Sequence, residues 1–244
     1  ADRRRVERVF VVPFGSLGAD ARVDPSRLTG SQRHDVVCRC VVAALLALRR
    51  VRRDSTLVGA LAKPSWTTRV GQAMLQSLDG TLPTGAGPTG VLTVRGAELE
   101  ALGPDEEEVG RALARALAAP PGAGPGGWSR RDVSSLRELL EGLLAGGGHA
   151  GETRLLALRE GAASCARAEL AAARAEGAQR LVFVVGDHVG LRPAALGRLV
   201  TDFGGRAVSL GEAPLLTSQC ISLLQFLTDS LWPAETSSTC PSPM

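Results

Sequence analysis

Leu181-Val182-Phe183-Val184-Val185 runs straight into Gly186-Asp187-His188-Val189-Gly190, so an apolar, β-branched segment stops abruptly at a glycine. A second run of the same kind, Ala207 to Leu210, is followed by Gly211-Glu212-Ala213-Pro214-Leu215 and then by an apolar segment opening at Thr217-Ser218-Gln219-Cys220. Both runs read as buried strands whose carboxyl ends turn sharply. The two turns should emerge on one edge of a parallel sheet, where open α/β sheets bind ligands. Glycines there let a ligand approach the backbone, and helix N-termini present unpaired N–H groups. The expected result is a cofactor pocket built mainly from main chain.

Working outward, strands and helices alternate through the last third: strand 154–158, helix 162–176, strand 181–185, helix 193–203, strand 207–210 and helix 217–230. That alternation implies parallel crossovers and an α/β sheet with helices on both faces. Towards the N-terminus, Val9 to Phe14 reads as a first strand. Ser31 is expected to cap a long helix in which Val36, Val37, Cys40, Val41, Ala44, Leu45 and Leu48 recur at helical spacing. The cations Arg49, Arg50, Arg52 and Arg53 suit its C-terminal dipole. Residues 56–61 and 91–95 read as further strands, separated by an insertion at 62–89 that carries a short helix around 71–78. Pro104 to Glu108 opens a helix through Ala118, with proline at its first position; residues 119–127 read as a linker and 131–145 as a helix. One domain over 1–230 and a disordered tail over 231–244 complete the expected organisation.

Composition sets bounds on this picture. The chain has 244 residues, 44% of them hydrophobic and 22% charged, which suits a globular protein with a sizeable core. Net charge is only +3, too little to announce nucleic acid, although arginines crowd the first 53 residues. Lys63 is the single lysine and tyrosine is absent, so the arginine richness reflects compositional bias in part. Cysteines 38, 40, 165, 220 and 240 form no CxxC pair and are odd in number; neither a metal site nor a disulfide framework is expected, and a reducing compartment fits. No apolar run reaches the ~18 to 20 residues that span a bilayer. No secretory signal is read at the N-terminus, since the apolar stretch 9–12 is too short. No membrane or DNA contact is expected, and the protein is placed in the cytoplasm, with the nucleus left open.

Several separated signatures agree with one family. Ser31-Gln32-Arg33-His34-Asp35, Arg52-Arg53-Asp54, Arg95-Gly96-Ala97-Glu98-Leu99 with Pro104-Asp105-Glu106, Gly186-Asp187-His188-Val189-Gly190, and Ser209-Leu210 with Cys220-Ile221 occur in the order seen in archaeal TrmY-type tRNA methyltransferases of the SPOUT superfamily. The chain resembles that family over residues 8–229. The resemblance implies an α/β fold with a C-terminal trefoil knot, a homodimer, S-adenosyl-methionine as cofactor, and methylation of N1 of pseudouridine at position 54 in the T loop of tRNA. It carries cofactor contacts onto Gly186, onto Leu210 to Leu215 through their backbone, onto Cys220, and onto Leu156 and Ala157 at the end of an earlier strand. It departs from the family pattern at Gln32, where a glycine is usual, and in a shortened segment at 128–132.

The implied chemistry singles out two more residues. N1–H of pseudouridine is a poor nucleophile while protonated, so transfer gains from a carboxylate that takes or orients the proton and a cation that stabilises charge on the ring. Asp35 is expected to aid deprotonation and Arg33 to hold the base or a phosphate; the plain alternative is a helix-start acid beside a solvated arginine. Arg39, Arg52 and Arg53 are candidate phosphate contacts, or else an exposed arginine-rich helix end. Asp187 and His188 read as turn residues and Cys220 as a pocket wall. Two competing readings stay open: a catalytically silent RNA-binding scaffold, and a methyltransferase of ribosomal RNA pseudouridine. A nicotinamide dinucleotide enzyme fails, because no GxGxxG follows an early strand.

Overall fold

Runs of valine and leucine buried on both faces place the strands in the middle of the molecule. The computed structural model describes residues 5–18, 21–29, 33–47, 50–62, 89–133, 135–145, 152–186, 191 and 193–233. The helix expected near 71–78, the turn Asp187 to Gly190 and the tail from 234 onward lie outside the described residues, as does Ser31. The strands are β1 (Glu7–Gly18), β2 (Leu46–Ala47), β3 (Arg50–Val51), β4 (Ser55–Ala62), β5 (Thr89–Arg95), β6 (Trp128–Val133), β7 (Thr153–Leu158), β8 (Ser164–Cys165), β9 (Arg180–Val184) and β10 (Arg206–Ser209). The helices are α1 (His34–Leu45), α2 (Glu106–Ala118), α3 (Leu136–Ala145), α4 (Ala166–Ala175), α5 (Pro193–Thr201) and α6 (Thr217–Leu231).

Eight strands form one sheet in the order β6-β5-β4-β1-β9-β7-β10-β8. From β4 to β8 neighbouring strands are parallel, whereas β5 and β6 join antiparallel, so the sheet is mixed and not the wholly parallel one expected. Along β1 the pleat divides the core: Phe10, Val12 and Phe14 face one layer, and Val9 and Val11 the other. The first layer packs against α1, α2, α4 and α6 through residues such as Val41, Leu113, Leu170 and Leu224. The second packs against α3 and α5 through Leu139, Leu140, Leu196 and Leu199. Phe10 and Phe183 stack across β1 and β9 with ring centroids 5.1 Å apart.

Four local expectations are corrected. Residues 128–133 are strand β6, not the start of a helix, because an edge strand needs few apolar residues and its Arg131 and Asp132 project to solvent. The first helix stops at Leu45, where Leu46–Ala47 turns back on Arg50–Val51 as a short antiparallel ladder. The residue flanking α1 is Arg33, which makes no side-chain cap bond. At α2, Pro104 precedes the cap instead of opening the helix: Asp105 is the N-cap, its carboxylate accepting from the Glu107 N–H at 2.8 Å.

Sheet order positions the functional edge. β9 lies between β1 and β7, while β10 lies beyond β7, so the exits of β7, β9 and β10 sit close together on the carboxyl side. The chain then enters α6, and Thr217 Oγ1 donates to the Gly186 carbonyl at 2.9 Å, tying the start of the last helix to the end of β9.

Candidate active site

A cavity of about 650 Å³ opens where those strand ends meet. Val185 and Gly186 come from the exit of β9, Leu158, Arg159 and Glu160 from β7, and Val208 and Ser209 from β10. The loop from Leu210 to Leu216 and the first turn of α6, Thr217 to Cys220, supply much of the wall. Gly211 has φ +130°, a backbone conformation that side-chain-bearing residues rarely adopt, and Ser209 Oγ holds the loop by accepting from the Gly211 N–H and donating to its carbonyl. Small-molecule sites typically enclose ~300 to 1,000 Å³ of mostly apolar wall with a few fixed polar groups. The apolar Val36, Leu158, Val208 and Leu215 beside Ser209, Thr217 and main chain meet that description.

On the far side the cavity is bounded by the start of α1: by Arg33, which flanks the helix, and by Val36 and Arg39, three residues apart on it. Arg33 sits at φ 47°, ψ 47°, the only left-handed non-glycine among the described residues. The guanidinium forks onto Asp35, Nε to Oδ1 at 2.9 Å and Nη2 to Oδ2 at 3.0 Å. Arg39 reaches the same Asp35 Oδ2 from one turn further along, and its Nε lies 4.0 Å from Glu106 Oε1. The carboxylate is therefore clamped between two cations. Its side chain is 5% exposed, against 47% for Arg33. The Arg33 hydrogen bonds above all, opposed by burial and helped by the charges of both arginines, hold the Asp35 carboxyl below the ordinary carboxylate range. Burial lowers the pKa of neighbouring His34, and burial raises the thiol of Cys220.

Of the residues singled out from sequence, Gly186, Leu210, Leu215, Cys220, Arg33 and Arg39 meet around this one cavity. Leu156 and Ala157 do not: both are fully buried, Leu156 in one core layer and Ala157 in the other, and the β7 wall begins one residue later at Leu158. Asp35 stands behind the wall and not in it. Arg52 and Arg53 lie outside the cavity lining, and Arg53 is exposed. Arg52 pairs with Asp229 at 2.8 Å, and Arg53 donates to the carbonyls of Gly96 at 3.1 Å, Ala97 at 3.3 Å and Leu99. Sequence reading missed Val36, which the spacing of Arg33 and Arg39 could have found, and Glu160, for which no local signal exists. A second hollow of about 550 Å³ adjoins the first, sharing Arg39, Leu215, Ser218 and Gln219. Among the described residues no cluster could hold a metal ion, and no helix is long and apolar enough to cross a membrane.

Fold and site together define an α/β protein with a cavity at the carboxyl ends of the parallel strands of a mixed sheet, lined by the loop before α6 and by two arginines that share one carboxylate. No family model matches the chain. Its architecture is similar to that of Archaeoglobus fulgidus Nep1, solved bound to S-adenosylhomocysteine, with a TM-score of 0.51 and 14% identity over 92% of this chain and 98% of that one. In sequence it is 30% identical, over 93% of its own length and 95% of the other, to the tRNA (pseudouridine(54)-N(1))-methyltransferase of Methanopyrus kandleri. The chain belongs to the tRNA (pseudouridine(54)-N(1))-methyltransferase family.

Proposed function

We propose that this protein methylates N1 of pseudouridine in tRNA, at position 54 of the T loop, with S-adenosyl-methionine as donor. The observation that carries this reading is the cavity itself: Gly186, the 210–216 loop and the first turn of α6 line it together with Arg33 and Arg39. Gly186, Leu158 and the loop would hold the nucleoside half of the donor, with Cys220 closing the wall; the donor supplies an electrophilic methyl group. Arg33 and Arg39 are left to meet the RNA, because both residues line the cavity while Asp35, whose carboxylate holds them, does not.

Asp35 acts through those arginines. With both oxygens engaged and its pKa lowered, it is a weak proton acceptor, and its contribution is to fix two cations where negative charge grows on the pseudouridine ring. The proton of N1 leaves to water. The family resemblance implies a knot in the segment that runs from β9 through β10, which lies beyond β7, to α6, which returns to Gly186.

The working form is a homodimer. Leu216, the residue just before α6, and Leu223 and Phe226 on it are 56%, 39% and 66% exposed, and Leu223 shares the second hollow with the half-buried Val42 and Ala43 of α1. The free thiols of Cys38, Cys40, Cys165 and Cys220 support work in the cytoplasm.

The test is mass spectrometry of nucleosides after incubating the protein and donor with unmethylated tRNA carrying pseudouridine 54. Appearance of N1-methylpseudouridine is expected. Donor binding without product would favour a silent scaffold, and product on ribosomal RNA alone would move the substrate.

A further inference from the structure

Among the described residues the bulkiest fully buried side chain is a cation, Arg8, and it lies away from the cavity. Arg8, at the start of β1, is 2% exposed and touches three acceptors: Asp229 at 2.7 Å, Asp54 at 3.6 Å and Gln225 Oε1. Gln225, also 2% exposed, donates in turn to the Ala44 carbonyl at 2.6 Å and to Ser55 Oγ at 3.0 Å. Arg52 completes the group by pairing with Asp229. One face of α6 is thereby bound to β1, to β4 and to the end of α1.

Nothing in the helix itself explains this arrangement. A carboxylate near a helix C-terminus opposes the helix dipole, and a buried guanidinium costs stability where a bond is left unmade, as at Nε of both Arg8 and Arg52. Yet Arg8 and Arg52 hold the Asp229 carboxyl below its ordinary range even though burial pushes the other way. Such a network fixes rotation and axial position far more sharply than apolar packing does, since leucines can slide by a fraction of a turn and hydrogen bonds cannot. The part of α6 that must not slide is its first turn, which is cavity wall. From Asp229 to Thr217 the helix spans about 18 Å as one rigid rod.

We infer that Gln225 and Asp229 are positioning residues for the methyl donor: through Arg8, Arg52, Ala44 and Ser55 they set the register of α6, and so the place of Thr217 to Cys220 in the cavity wall. The inference rests on the reading of that cavity as the donor site.

The experiment measures S-adenosylhomocysteine binding by calorimetry, and donor KM against kcat, for Gln225→Leu and Asp229→Asn, well below each variant's unfolding temperature. Leu139→Ala, which opens a hole in the opposite core layer, serves as the control for lost stability alone. Donor affinity is expected to weaken about tenfold in both network variants, consistent with the sensitivity of binding sites to sub-ångström displacement. The tRNA KM stays put and the control binds like wild type. If Gln225→Leu fails to fold, the partly exposed Asp229→Asn decides alone. Unchanged affinity in folded variants, or the same loss in the control, would overturn the positioning role. Failure of the wild-type protein to bind S-adenosylhomocysteine would remove the donor reading and this inference with it.

Discussion

Asp35 is held by the fork of Arg33 on one side and by Arg39 on the other, and that geometry separates two explanations of why an acid stands at the start of α1. A proton acceptor can be replaced by hydroxide, so its loss is relieved as pH rises towards the range where N1–H ionises by itself. A clamp cannot be so replaced. We therefore expect Asp35→Asn to lose about 10²-fold in tRNA methylation at every pH from 6 to 10, the scale of loss when catalytic groups are misplaced, with donor binding intact. Recovery of the rate at alkaline pH would restore the base role. The same carboxylate affects stability with a definite sign. Its folded pKa is lowered, so its contribution is complete above the unfolded value of about 3.9 and is lost as pH falls through the folded value. Wild type should lose more stability than Asp35→Asn on acidification below about pH 4, as followed by urea unfolding.

Elements explain which parts of the protein were legible in its sequence. β9 was readable because a strand buried on both faces must be apolar throughout, and Gly186 punctuates its end; β10, of which only Val208 is buried, was readable through the short apolar run that stops at Gly211. β6 was not, since an edge strand with one partner tolerates Arg130, Arg131 and Asp132, and its six residues carry a charge pattern that also suits a helix. The fate of a guanidinium is hidden for a different reason: nothing local to Arg52 announces an acid 177 residues away. Arg53 illustrates the consequence. It bonds the carbonyls of Gly96, Ala97 and Leu99, a short 3-10 turn after β5 whose Gly96 sits so close to Arg52 that a Cβ there would lie 1.9 Å from the Arg52 carbonyl oxygen. Arg53→Ala should cost about 1.5 to 3 kcal/mol, the range for bonds to a charged group, measurable by chemical denaturation. The salt dependence of tRNA binding should be unchanged in that variant; a shallower slope would return Arg53 to the phosphate contacts.

At the scale of the whole molecule the unfinished surface is the outer face of α6. The inner face of this helix is fully committed, with Ile221 and Leu224 in the core and Gln225 and Thr228 in hydrogen bonds, whereas Leu216, Leu223 and Phe226 face outward. Large apolar side chains in line on one helix cost free energy while wetted, at roughly 25 cal/mol for each Å² of apolar surface. A closed two-fold contact buries the same stripe on both copies at once, which makes a self-complementary surface the economical solution. Leu216 borders the cavity and Leu223 the adjoining hollow, so a second copy seated on this face would lie at the mouth of both. Sedimentation should accordingly show a dimer at micromolar concentration, and Phe226→Glu should yield a folded monomer, because the substituted residue is already 66% exposed and its change costs the isolated fold little. Specific methylation activity of that monomer should be low and independent of dilution, whereas that of wild type should fall as the dimer dissociates. A wild-type protein that sediments as a monomer at all accessible concentrations would leave the stripe without its partner and end the dimer proposal.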